Sequence, residues 1–279
     1  MRPNQGGTLK RILAAVALVV AVMGLGAGTA SASHSWSTYH WGRTANPFTI
    51  KVGDNLTNGW SMYLGTASTD WNTSAVAKNT IVAGQSTKRC RATSGRDEIC
   101  NGTYGSNGWL GLASISLSGG HIVQGTVKVN DTYFNTSTYN NPNEKQHVMC
   151  QEIGHTWGLD HQDTSSALFY TCMDYFSNTG ANAGNTGSIS PNQGDYDQLL
   201  CIYDPASSGR TLTSTTSGIS HSCTGTGHLD STTTIGAASF GGTAAENVPW
   251  WANRNESVYV EHLPNGLTQV TYILWAVEL

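Results

Sequence analysis

The spacing of apolar positions divides this chain into elements. Phe48-Thr49-Ile50-Lys51-Val52 alternates with a period of two, the pattern of a half-buried strand. From 59 to 72 the spacing lengthens to three and four, through Trp60, Tyr63, Leu64, Ala67 and Trp71, which predicts an amphipathic helix. Thr80 to Ala83 reads as another strand, and the polar stretch Cys90 to Gly108 as a loop. Leu110 to Leu117 and His121 to Asn130 predict two strands joined at Gly119-Gly120, with Val123, Thr126, Val127 and Val129 suited to a pleated surface. A helix then opens at Asn141-Pro142-Asn143-Glu144: an Asn cap, Pro in first position and Glu three residues after the cap. It runs to Trp157, about four turns, with Val148, Ile153 and Trp157 as its core anchors.

The C-terminal third has a different texture. Residues 206–245 are rich in Ser, Thr and Gly, the composition of a loose extension. After Trp250-Trp251, Ser257 to Glu261 and Thr268 to Trp275 flank Leu263-Pro264-Asn265-Gly266, a hairpin signal. Residues 246–279 therefore read as a small β appendage. It either adds a strand pair to the main domain or binds a surface such as a polysaccharide. The paired tryptophans suit core packing more simply than ligand stacking. No repeat of solenoid period is present.

The N-terminus sets the compartment. Residues 1–32 begin with Arg2, Lys10 and Arg11, continue in an apolar run from Ile12 to about Leu25, and finish in Ala30-Ser31-Ala32. That is a secretory signal peptide with cleavage expected after Ala32; the run is too short, and too rich in Gly and Ser at its end, for a stable membrane anchor. The mature chain keeps 11 basic against 18 acidic residues, a net charge of −7, which argues against nucleic acid as a partner. A secreted, extracellular monomer is expected. Six cysteines in such a chain imply disulfides, and six allow 15 pairings that sequence cannot choose among. Proximity suggests a local Cys90–Cys100 loop.

The chemistry concentrates in Gln151-Glu152-Ile153-Gly154-His155-Thr156-Trp157-Gly158-Leu159-Asp160-His161. Gln151 and His155 lie at i and i+4, on one helix face, so both can point at one metal. Glu152, beside the first ligand, is placed to act as general base on a metal-activated water. Gly158 suits the left-handed turn that ends a helix and returns His161 to the site. Three protein ligands with one open position is the arrangement of a catalytic zinc.

The stretch resembles H-E-x-x-H-x-x-G-x-x-H, the zinc motif of the metzincin metalloproteases, with Gln151 where the first His belongs. Thr171-Cys172-Met173-Asp174-Tyr175 resembles their Met-turn, with Tyr175 at the spacing where some branches point a Tyr at the metal. Ser190 to Tyr203 looks like the helix that follows it in matrixin-type domains. The resemblance covers roughly 46–205 and is strongest to secreted, matrixin-like actinobacterial proteases. It implies an α+β fold over 33–205: a twisted mixed sheet, a zinc-motif helix, a Met-turn with Met173 beneath the metal, and a C-terminal helix. It implies Zn2+ as cofactor and a peptide or protein substrate paired along an edge strand, for which Leu110 to Leu117 is the candidate. It also suggests Cys150–Cys172 as a clamp between motif helix and Met-turn, leaving Cys201–Cys223.

The departure at Gln151 carries consequences. An amide oxygen is a weaker zinc donor than imidazole. His147 is no substitute, being about 12 Å along the helix from His155. Tyr175 is the better extra ligand, Asp160 and Asp163 are candidate acceptors around the site, and Cys150 lies about 100° around the helix from Gln151. His34, His40 and His121 read as surface or structural groups, and His221, His228 and His262 fall outside the motif. The reading is a secreted zinc endopeptidase with Gln151, His155 and His161 as ligands and Glu152 and Tyr175 as catalytic groups. Its alternatives are a non-catalytic relative that binds peptides in the same cleft, and a surface-binding protein acting through the C-terminal β module.

Overall fold

Four parallel strands form the centre of the sheet. β2 (Phe48–Asn55) lies between β3 (Ala77–Ala83) and β4 (Arg96–Gly102), and β4 pairs in turn with β6 (His121–Asn130). β5 (Trp109–Ser118) runs antiparallel to β6, and the short β1 (His40–Trp41) adds to the start of β6. The computed structural model describes residues 34–85, 89–163, 168–207, 211–213, 220–223 and 258–276. The signal peptide expected over 1–32, the Trp250-Trp251 pair and most of the 206–245 extension lie outside these residues. Within that extension, β7 (Thr211–Thr213) and β8 (Ser220–Ser222) form a separate antiparallel pair.

Two helices cover the sheet. α1 (Trp60–Trp71) packs on β3 and on α3 (Pro142–Thr156), and α3 lies against β5 and β6. Between them in sequence, α2 (Asp131–Phe134) makes a single turn after β6, capped by the Asn130 side chain. The start of α3 is as the sequence predicts: Asn141 accepts from the Glu144 amide at 2.9 Å, with Pro142 in first position. α4 (Gln193–Tyr203) opens with a full capping box between Asn192 and Asp195. Three disulfides join Cys90 to Cys100, Cys150 to Cys172 and Cys201 to Cys223. The second ties α3 to the turn carrying Met173.

Two expectations are corrected. The stretch from Cys90 to Gly108 is not all loop, because β4 runs through it at the centre of the sheet. Its apolar signal is hidden by buried charges. Arg96 and Glu98 pair at 3.0 Å, and Glu98 accepts from the Asn55 amide at 2.6 Å. Of the two expectations for the C-terminal hairpin, the strand pair added to the main domain is the one observed. β9 (Val258–His262) and β10 (Thr268–Trp275) form the expected hairpin, but β10 pairs along the whole of β5 and extends the main sheet. What joins it there is apolar burial on both faces. Val270, Tyr272 and Leu274 enter the main core, while Ile273 packs with Trp109 and Leu112 on the other side. His34 and His40 are likewise buried rather than at the surface.

Asp97 of β4 is a buried group whose protonation matters to the fold. It is fully buried, and burial pushes its carboxyl up to about 8, with the neighbouring Glu98 adding to the rise. The Thr156 hydroxyl lies 2.9 Å from Asp97 Oδ2 and 2.8 Å from the Ile153 carbonyl. One hydroxyl proton cannot serve two acceptors, so a protonated Asp97 satisfies both contacts. A carboxyl raised on folding binds more protons in the folded state, so it costs stability as pH climbs from about 4 towards 8. Asp97→Asn removes that slope. Thermal unfolding between pH 5 and 8 should show the variant gaining on the native protein as pH rises; parallel curves would contradict the assignment.

Candidate functional site

α3 is buried along nearly its whole length, so its polar residues face the interior rather than solvent. Its C-terminal carbonyls are held by side chains: the Trp41 indole donates to Thr156 at 2.9 Å and the Tyr203 hydroxyl to Trp157 at 2.7 Å. The helix ends where Gly158 adopts a φ of 91°, a left-handed turn that also lets Trp36 donate to its carbonyl at 2.7 Å. A Cβ there would meet the Tyr39 carbonyl oxygen at 2.3 Å. The chain then doubles back and returns His161 to the helix.

His155 and His161 meet through their Nε2 atoms, 3.3 Å apart. The other nitrogen of each ring is occupied: His155 Nδ1 lies 2.9 Å from the Leu159 carbonyl, and His161 Nδ1 lies 2.9 Å from the Tyr272 hydroxyl. The carbonyl forces His155 Nδ1 to carry a proton, leaving a lone pair on Nε2. Tyr272 donates its proton to Asp160 Oδ1 at 2.6 Å, so towards His161 it acts as acceptor. His161 Nδ1 is therefore protonated as well. Burial keeps both rings from taking a second proton, lowering His155 to about 4 and His161 well below its usual value. Two imidazole lone pairs thus face each other, an arrangement that a shared cation relieves. Two nitrogens on one tetrahedral zinc, at roughly 2.0–2.1 Å each, lie about 3.3 Å apart, so the spacing fits that ion.

Gln151 completes the face one turn earlier. Its amide nitrogen donates to the Asp174 carbonyl at 2.6 Å, which fixes the amide flip. Its Oε1 is buried and finds no hydrogen-bond partner among the described residues. Both oxygens of Glu152 are also buried without a partner there, and burial raises its carboxyl well above the ordinary range. The Glu152 side chain lies against Gly111 of β5, where a Cβ would meet Oε1 at 2.4 Å. Among the described residues, no three His, Cys, Asp or Glu side chains form a metal-binding group. The histidine pair with the Gln151 amide oxygen is the remaining donor set.

Met173 sits beneath the helix, fully buried, with its amide accepted by the Thr171 hydroxyl at 3.0 Å. Gly154 permits this, since a Cβ would meet Met173 Sδ at 2.5 Å and the Trp71 ring at 2.7 Å. The Tyr175 ring tilts over His161 with centroids 4.1 Å apart. Asp160 serves Tyr272 and the His161 amide, while Asp163 bridges to Asp174 through the backbone. His147 is held apart, its Nδ1 2.7 Å from the Ser188 carbonyl. Cys150 is in its disulfide. Sequence reasoning missed Tyr272, whose ring stacks flat on His155 at 4.1 Å and 3°. Nothing local marks it, because its partners lie more than a hundred residues away.

No family model matches the chain, and no curated protein matches it. Among solved structures, that of myroilysin is similar over 71% of this chain and 92% of its own, at 14% identity and a TM-score of 0.29. A likeness that slight carries no weight for fold or function.

The packing beneath the site is directly testable. Gly154→Ala should destabilise by roughly 1–3 kcal/mol, the cost of overpacking a filled core. Gly65→Ala, in α1 with nothing within 4 Å of its added carbon, should instead stabilise by about 0.5–1 kcal/mol. Chemical denaturation of both variants checks the pair, and equal effects would refute the close contact with Met173.

Proposed function

We propose that this chain is a secreted zinc-dependent endopeptidase of metzincin type. The observation that carries the reading is the pair of imidazole lone pairs 3.3 Å apart, one helical turn from an unbonded amide oxygen. Supporting it are the motif and Met-turn resemblance, the Gly158 turn, and a mixed sheet whose antiparallel strand β5 lies beside Glu152. Three disulfides, and the absence among the described residues of a helix long and apolar enough to cross a membrane, agree with an extracellular setting.

In this reading His155 Nε2, His161 Nε2 and Gln151 Oε1 hold the ion. Zinc, when bound, would supply Lewis acidity towards a water and a peptide carbonyl. The protein's own groups do the rest. Glu152 takes the water's proton and passes it to the leaving amine. Its isolation from other donors leaves both oxygens available, and a nearby cation restores the ionised form that burial alone opposes. Tyr175, over His161, donates to the developing oxyanion. Leu159 and the Tyr272–Asp160 pair hold the imidazoles in the tautomers that expose Nε2.

A second reading, a non-catalytic relative that binds peptides, is favoured by Gln151 itself, a weaker donor whose amide is committed to Asp174. Zinc content separates the two. The enzyme reading expects close to one zinc per chain in the purified protein, lost in His155→Ala, with Glu152→Ala keeping the metal and losing peptide hydrolysis by at least a hundredfold. Metal-free protein even after incubation with zinc, or undiminished hydrolysis by Glu152→Ala, would reject it.

A further inference from the structure

β10 lies where the proposed function needs a substrate. An extended peptide reaching Glu152 would add to the edge of β5 opposite β6, yet that edge is taken from Trp109 to Leu117 by β10, antiparallel with one irregularity between Leu274 and Trp275. Opposite Ala113 the register places Tyr272, whose ring covers the face of His155 and whose hydroxyl is held between His161 and Asp160. Trp36 closes the other side of that ring with an edge contact at 5.1 Å. The result is a sealed site: Gln151 and Glu152 have no exposure, His155 has 1% and His161 6%. No hydrolase works with its general base shut away from water and substrate.

We infer that the β9–β10 hairpin is an intramolecular competitor of substrate, a strand of the chain's own that docks on β5 and holds the site closed until it leaves. The inference rests on the proposed function for what the cleft binds, and on the sheet geometry for what occupies it.

Its attachment suits a removable element. All six cysteines lie at or before Cys223, so no disulfide staples β9 or β10 to the rest of the chain. The hairpin is held by its ladder to β5, by Val270, Tyr272 and Leu274 in the main core, by the Ile273–Trp109–Leu112 cluster and by the Ser114–Thr271 hydroxyl pair at 2.8 Å. Its own turn is self-contained, with Leu263 donating to Leu267 at 2.8 Å and Gly266 at a φ of 81°. Its strand also advertises what the cleft accepts: Thr268 to Trp275 is an uncharged, extended segment with an aromatic side chain at the position facing the histidines. The substrate class is thus an extended, largely apolar peptide with an aromatic residue at the site.

The test uses the full mature chain and a fluorescein-labelled, end-blocked peptide of the β10 sequence itself, with fluorescein-labelled casein for hydrolysis. Val270→Pro with Thr271→Pro breaks the ladder on both edges of β10, and the milder Val270→Ala with Ile273→Ala removes apolar burial on both of its faces and weakens its docking on β5. Ser114→Cys with Thr271→Cys, cross-strand partners, locks the hairpin shut once mass mapping confirms the new disulfide. Binding of the peptide should strengthen at least tenfold in both opened variants and vanish in the locked one. Failure of both opened variants to gain binding, while circular dichroism and the native disulfides show them folded, would overturn the inference. So would a locked variant that binds like the native chain. Should the double-proline chain not fold, Val270→Ala with Ile273→Ala decides alone. Casein separates the two proposals. Peptide capture on opening without hydrolysis leaves the competitor standing and the enzyme reading rejected. Hydrolysis equal in locked and opened chains does the reverse.

Discussion

His155 and His161 are held nitrogen to nitrogen in an interior that solvent does not reach, and most of the fold is arranged around that contact. Neither ring is free to turn away. One is pinned by the Leu159 carbonyl, the other by Tyr272; Trp36 and Tyr272 enclose His155, and Tyr175 and Tyr272 flank His161. Placing neutral imidazoles here rather than charged ones costs little. Facing their lone pairs costs more, unless an ion sits between them. The disulfide from Cys150 to Cys172 and the buried Met173 fix the floor of this arrangement, and the Gly158 turn fixes its wall.

Gln151 changes the character of the site more than its shape. A histidine there would present a ring nitrogen to the ion and need a separate acceptor for its other nitrogen. The glutamine divides the same tasks between its amide nitrogen, anchored on Asp174, and an oxygen left unbonded. In the proposed site an amide oxygen is the weaker zinc donor, so metal affinity would fall before chemistry is abolished. Asp174 is more than part of a turn. Its backbone carbonyl orients the Gln151 amide, and its side chain closes the turn by accepting from Phe169 and Phe176.

Elements whose signals are local were legible in the sequence. The Asn141 cap with Pro142, the amphipathic spacing of α1, the Gly158 turn and the hairpin around Asn265-Gly266 all depend on residues within a few positions of one another. β4 was not legible, because Arg96 pairs with Glu98, Glu98 with Asn55 and Asp97 with Thr156 only after the sheet assembles. The docking of β10 was hidden for the same reason. A hairpin announces its turn and its alternation, but not the edge that will accept it, and Leu110 to Leu117 carried no mark that its partner lay more than 150 residues onward. Tyr272 reads as an ordinary strand aromatic until that pairing brings its hydroxyl to His161 and Asp160.

The dryness of the site and the position of the hairpin are one fact seen twice. Glu152 has two oxygens without a partner among the described residues, and Tyr272 has its hydroxyl pushed far above the usual range by burial and by Asp160. Such groups are costly to keep from water. What offsets the cost is the ladder between β10 and β5, together with the burial of Val270, Ile273 and Leu274. When the hairpin departs, that stabilisation is lost, but Glu152 and the imidazoles regain water. The closed state is therefore opposed by the same polar groups that it hides. An extended peptide that pairs with β5 and offers its own polar atoms to the site replaces the ladder without restoring the full desolvation penalty. Competition between the two strands is decided at that difference, and the buried polar groups themselves tilt it towards opening.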